Sequence, residues 1–215
     1  MPAYPDDIYA EPASIDTATL ANLGPLAPMA GTWEGERGVD VAPKATGPRT
    51  QSFVERIEPQ PVDPGNNGPQ LLYGLRYHTR MTKPREIGTY HDQVGYWLWE
   101  PATGTIMHSL TIPRGQTVLA QGKASADAKT FTLCATRGST AFRTESFTIT
   151  VTVHDDGTWS YDEDTVMVIR GQAEPFHHRD SNRLKRVAEP IPNPLARQSS
   201  MWIGFGTGPL QMFTC

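Results

Sequence analysis

His177 and His178 stand side by side in the stretch EPFHHRDSNRLKRV, between Phe176 and a basic run. Imidazole ligates metals, serves as an axial cofactor ligand and exchanges protons near neutral pH. The pair admits three readings: a polar turn before a last strand, a metal site completed by Asp180, or a cofactor ligand. His108 shares an alternating stripe with Ile106, Leu110 and Ile112. A histidine there is a ligand-facing group or a hydrogen-bonded core residue. His91 precedes Asp92, which suits a solvated strand end. His78 alternates with Arg76 and Arg80, and His154 falls in an HDDG turn; both read as solvated. The run Asp162, Glu163, Asp164 reads as a solvated hairpin start. Neighbours on a strand point to opposite faces, so it does not supply paired catalytic carboxylates.

The elements that must position these groups are strands. QSFVERIEP places Phe53, Glu55 and Ile57 on one face, and QLLYGLRYHTRMT places Leu71, Tyr73, Leu75, Tyr77, Thr79 and Met81 together. In FTITVTV the alternation sets Phe147, Ile149, Val151 and Val153 against threonines. Turn signals such as PATG, PRG and DDG separate the runs, and VDPGNNGP reads as a longer loop. About nine or ten strands at hairpin spacing, without helices between them, predict an antiparallel meander. So many strands must remove their edges, and a closed up-and-down barrel does so. A β-sandwich is the alternative. Before the strands, Ser14 is expected to cap a short helix carrying Leu20 and Leu23, stopped by Gly24 and Pro25. The expected organisation is a flexible tail over 1–19, a barrel over 20–188, and a Pro-rich linker with an apolar C-terminal extension over 189–215.

Bulk properties narrow the function classes. The chain has 215 residues and a formal net charge of −4, with no concentrated basic patch, so nucleic acid is not an expected partner. No apolar window approaches the ~18 residues of a membrane span, and the acidic N-terminus lacks a signal-peptide pattern. These features predict a cytoplasmic protein. No GxSxG, HExxH or phosphate-loop signature occurs, and the two cysteines, Cys134 and Cys215, form no CxxC.

The stretch LGPLAPMAGTWEG, with Gly31, Trp33 and Gly35, resembles the opening of the nitrobindins, heme-binding β-barrels with lipocalin and fatty-acid-binding-protein architecture. Its glycines allow a tight start to the first strand, and Trp33 plugs one barrel end. The segment from Tyr77 to Ile106, with His91, Gly95, Tyr96 and Trp97, is similar to the family's middle. Residues 161–187 resemble its last hairpin, where a histidine precedes a Leu-Lys-Arg run.

The resemblance implies heme b, with His178 as proximal iron ligand and His177 as second choice. It implies His91 as the distal-side histidine, acting on the bound ligand. His108, from its apolar stripe, and Trp33 are further candidate cofactor-binding residues. The implied ligands are NO, nitrite or peroxynitrite, and the implied activity is isomerisation of peroxynitrite to nitrate. Two alternatives remain open: a heme-free carrier of a small hydrophobic molecule, and a cofactor-free barrel enzyme using His108, Arg76 or Tyr77. Dimerisation through the apolar tail is a further expectation.

Overall fold

The alternating segments become eleven antiparallel strands in a computed structural model of the chain. The structure describes residues 9–44, 46–136 and 143–196. The strands are β1 (Thr32–Ala42), β2 (Arg49–Ile57), β3 (Gln60–Asn67), β4 (Gln70–Thr82), β5 (Thr89–Glu100), β6 (Thr105–Ile112), β7 (Gln116–Lys123), β8 (Thr130–Thr136), β9 (Arg143–Val153), β10 (Trp159–Val168) and β11 (Phe176–Ala188). Each pairs with its neighbour along the chain from β4 to β11, β11 pairs with β1, and β1 with β2. A pairing of β2 with β4 closes a ten-stranded barrel, and β3 is the extra strand. β2 covers residues 79–82 of β4 while β3 covers residues 70–76, so the two follow one another along the same partner.

VDPGNNGP, expected as a loop, is therefore mostly strand. Pro61 and Pro64 are tolerated because β3 pairs on one side only, with a register irregularity between Val62 and Gly65. The expected N-terminal helix also differs. Helix α1 is a single turn, Thr19–Asn22, and Asp16, not Ser14, accepts the Ala18 N–H. Gly24 and Pro25 do not end the helical path but open a 3-10 helix, Gly24–Met29. Gly24 has φ +53°, and a Cβ there would lie 2.6 Å from the Trp99 indole, so the position requires glycine.

The core lies inside the barrel and is thickest at one end. Leu23, just before the 3-10 helix, and Leu26 and Met29 within it are fully buried and pack into that end with Trp33, Leu75, Trp99 and Leu184. The Trp33 indole donates to the Met29 carbonyl at 2.7 Å and meets Trp159 edge-on. Its polar atom is thus satisfied inside an apolar plug. Residues 189–196 return across the same end: buried Asn193 donates to the Thr17 carbonyl and to Asp63, and the Ile191 N–H reaches Gln60. The apolar extension expected to mediate dimerisation lies outside the described residues.

Candidate functional site

Strand alternation delivers His178, Asp180, Asn182 and Leu184 of β11 to the interior, with His177 and Arg179 on the outer face. Asp40 of β1 stands opposite Asp180, and Glu163 of β10 stands opposite Asp180 on its other side. One row across three adjacent strands therefore carries three carboxylates. Gln51 of β2 extends the row and donates to Asp40 Oδ2 at 2.6 Å.

His178 lies one inward position along from this row. Its Nε2 is 3.0 Å from Asp40 Oδ1 and 3.4 Å from Asp180 Oδ2. Burial by itself lowers the His178 pKa, but the Asp40 hydrogen bond and the charges of Asp180, Asp40 and Glu163 outweigh it and raise the pKa above the ordinary imidazole value. Burial pushes the Asp180 and Glu163 carboxyls up, and the charge of Asp40 adds to the rise at Asp180 as that of Asp180 does at Glu163. Further in, Glu55 is buried and pushed up to about 7 by desolvation; it accepts hydrogen bonds from Tyr161 and Asn182.

Two cavities meet at these residues. The outer one, about 310 Å³, is walled by Leu110, Ile112, Val118, Phe147 and Met167 and also bordered by His178, His91 and Arg114. The inner one, about 40 Å³, reaches Trp97, His108 and Trp159. His91, Gln93, Glu163 and Asp180 line both.

A hydrogen-bonded chain runs between them. His91 Nε2 meets Gln93 Oε1 at 3.2 Å, Gln93 Nε2 donates to Tyr77 Oη at 2.7 Å, and Tyr77 Oη meets His108 Nε2 at 2.8 Å. His108 is fully buried, stacked on Trp97 with centroids 3.8 Å apart, and burial lowers its pKa to about 3. It is neutral, with Nε2 paired to Tyr77 Oη and Nδ1 without a hydrogen-bond partner.

The expected site residues thus divide. His178 and His91 border the outer cavity, and His108 borders the inner one. His177 points outward to Asp164, at 2.8 Å, because it alternates with His178. Trp33 sits in the closed-end plug and borders neither cavity. Glu163 is not the solvated residue expected of its acidic run: alternation turns it into the lumen between outward Asp162 and Asp164. Asp40, Gln93 and Glu163 were missed as site residues; only the strand period, extended to polar positions, carries a signal for them.

A heme fits this site in two respects. The outer cavity offers an apolar wall facing an inward imidazole. Asp40 can accept the Nε2–H of His178, which leaves the lone pair on Nδ1, the arrangement by which a carboxylate fixes a metal-binding histidine.

A closed barrel with an apolar mouth and a carboxylate-held imidazole defines a small-molecule-binding β-barrel. The chain belongs to the THAP4-like, heme-binding beta-barrel domain family, whose model matches residues 22–186. Among solved structures it is similar to Rv2717c from M. tuberculosis, with a TM-score of 0.55 and 21% identity over 80% of this chain and 99% of that one. That likeness concerns the fold. No curated protein matches the sequence. Among the described residues, no helix is long and apolar enough to cross a membrane.

Proposed function

We propose that this chain binds heme b in the outer cavity through His178 and acts on NO, nitrite or peroxynitrite there. The observation that carries the reading is His178 itself: the last strand turns it inward at the cavity mouth, beside the apolar wall. When bound, heme supplies an iron position open to NO or to peroxynitrite, whose atoms rearrange to nitrate without gain or loss. The protein's own residues do the rest. Asp40 holds the His178 ring and accepts its Nε2–H, so the other nitrogen is the one offered. Leu110, Ile112, Val118 and Phe147 exclude water from the macrocycle face. Arg114 brings positive charge to the mouth, suited to a propionate or an incoming anion. His91, steadied by Gln93 through one ring nitrogen, keeps Nδ1 for a hydrogen bond to the small ligand.

The test is an absorbance titration of the purified chain with hemin beside His178→Ala. A sharpened Soret band saturating at one heme per chain, and lost in the variant, supports the reading. The broad spectrum of free hemin in both sinks it. The apolar cavity wall would then favour the heme-free carrier, tested with a fluorescent lipid probe.

A further inference from the structure

The donor set around His178 is more than one imidazole needs. We propose that Asp40, His178 and Asp180 form a site for a divalent first-row transition cation of the zinc type, independent of heme and sharing His178 with it. His178 Nε2 lies 3.0 Å from Asp40 Oδ1 and 3.4 Å from Asp180 Oδ2, and one oxygen or nitrogen from each of the three residues falls within 4.8 Å of the others. Donors bound at about 2.0–2.2 Å to one zinc-like cation stand about 3 to 3.5 Å apart, which matches the two separations measured from His178 Nε2.

A hydrogen bond explains only half of this arrangement. One N–H serves one carboxylate well, and Asp40 takes it. Asp180 has no hydrogen-bond donor of its own among the described residues, although its carboxylate is largely shielded and aimed at the same nitrogen. Glu163, directly opposite Asp180, brings a third carboxyl group to the row. Among the described residues no lysine or arginine forms an ion pair with any of the three. A divalent cation bound to both carboxylates and the imidazole would give Asp180 the close partner that a single N–H donated to Asp40 does not supply.

The set is also built as metal sites are. Gln51 holds the second oxygen of Asp40 at 2.6 Å and so orients the ligand. One imidazole with two carboxylates suits zinc, manganese or ferrous iron, and the outer cavity leaves room for water in the remaining positions. While a cation holds His178, heme iron cannot.

The probe is ZnCl2, titrated calorimetrically into the hemin-free full chain without an affinity tag. The expected result is one zinc per chain, bound at least tenfold more weakly in Asp180→Asn and His178→Ala but unchanged in His177→Ala, with zinc weakening hemin binding. Thermal midpoints show whether each variant is folded. Nitrogen-15 shifts of the imidazoles in zinc-loaded wild type identify the ligand without any substitution: a shift at His178 supports the site, and a shift confined to another histidine overturns it. Absence of saturable binding, or binding indifferent to Asp180→Asn, also overturns it. Hemin binding without zinc binding sinks only this site, and zinc binding without hemin binding sinks only the heme reading.

Discussion

Asp40 of β1 and Asp180 of β11 are direct cross-strand partners; Asp40 is buried, and Asp180 lines both cavities. Burial is the largest cost on the Asp180 charge, and the repulsion from Asp40 adds to it, against the attraction of His178. Asp180→Asn removes that burial cost and should raise stability at neutral pH by up to about 1 kcal/mol, while Asp40 keeps its bond to His178. Chemical denaturation at pH 7 checks this; a loss of more than about 1 kcal/mol would mean that Asp180 is a needed partner of His178 instead of a repelled neighbour.

Stability should also fall as the solution becomes more alkaline. Glu55 has its pKa raised by burial from 4.5 to about 7, so the folded state binds a proton that the unfolded state has released. Its contribution is present in acid and is lost as pH rises between those values, on the order of 3 kcal/mol. Glu55→Gln retains an oxygen for Tyr161 and Asn182 and should flatten that slope. Urea midpoints measured between pH 4 and 8 decide it.

Hemin binding should strengthen with rising pH. His178 must lose a proton to offer a lone pair, and its pKa is raised above 6.5 because Asp40, Asp180 and Glu163 outweigh burial. Affinity should grow through and above that value, and Asp40→Asn should move the midpoint to lower pH. For stability the same charged pair acts in the opposite sense: it contributes fully below the unfolded pKa and fades above the folded one. A hemin titration series over pH 5.5–8.5 reads the effect; a flat profile argues against His178 as the ligand.

Tyr77→Phe removes the hydroxyl between Gln93 and His108. Buried His108 then loses its partner, at a cost of about 1–3 kcal/mol, and half-buried Gln93 loses one as well. The variant should be destabilised in urea, and the His91 ring, no longer held through a fixed Gln93, should show altered imidazole shifts. Unchanged shifts at His91 would show that the chain of contacts does not position it.

Trp33→Ala opens the closed-end plug, where the indole bonds the Met29 carbonyl and packs on Trp159 under Arg186. The expected loss is about 3–5 kcal/mol. At temperatures where the variant stays folded, its hemin stoichiometry should match wild type, because Trp33 borders neither cavity. A lost heme signal in folded Trp33→Ala would contradict that placement.

The strand period determined most of the barrel in advance. Tyr73, Leu75, Tyr77, Thr79 and Met81 are inward because alternation leaves them no other face, and His108 follows Ile106 and Leu110 for the same reason. The same rule separates His177 from His178 once both lie on one strand. Turn and helix chemistry was less legible. Gly24 and Pro25 look like a stop signal, yet they start a 3-10 turn whose first residue, at φ +53°, lies against the Trp99 indole where any side chain would clash. β3 was hidden by its prolines, which an edge position excuses.

The site was decided by tertiary structure. Asp40 and His178 are 138 positions apart, and their 3.0 Å contact exists only because the last strand closes the barrel against the first. The lumen role of Glu163 likewise depends on which neighbours β10 acquires, since an acidic run on an isolated hairpin is simply solvated. Local sequence encodes which face a side chain takes, through backbone geometry that repeats every two residues. Which charges then meet is set by barrel closure and strand register, and those depend on the packing of the whole chain.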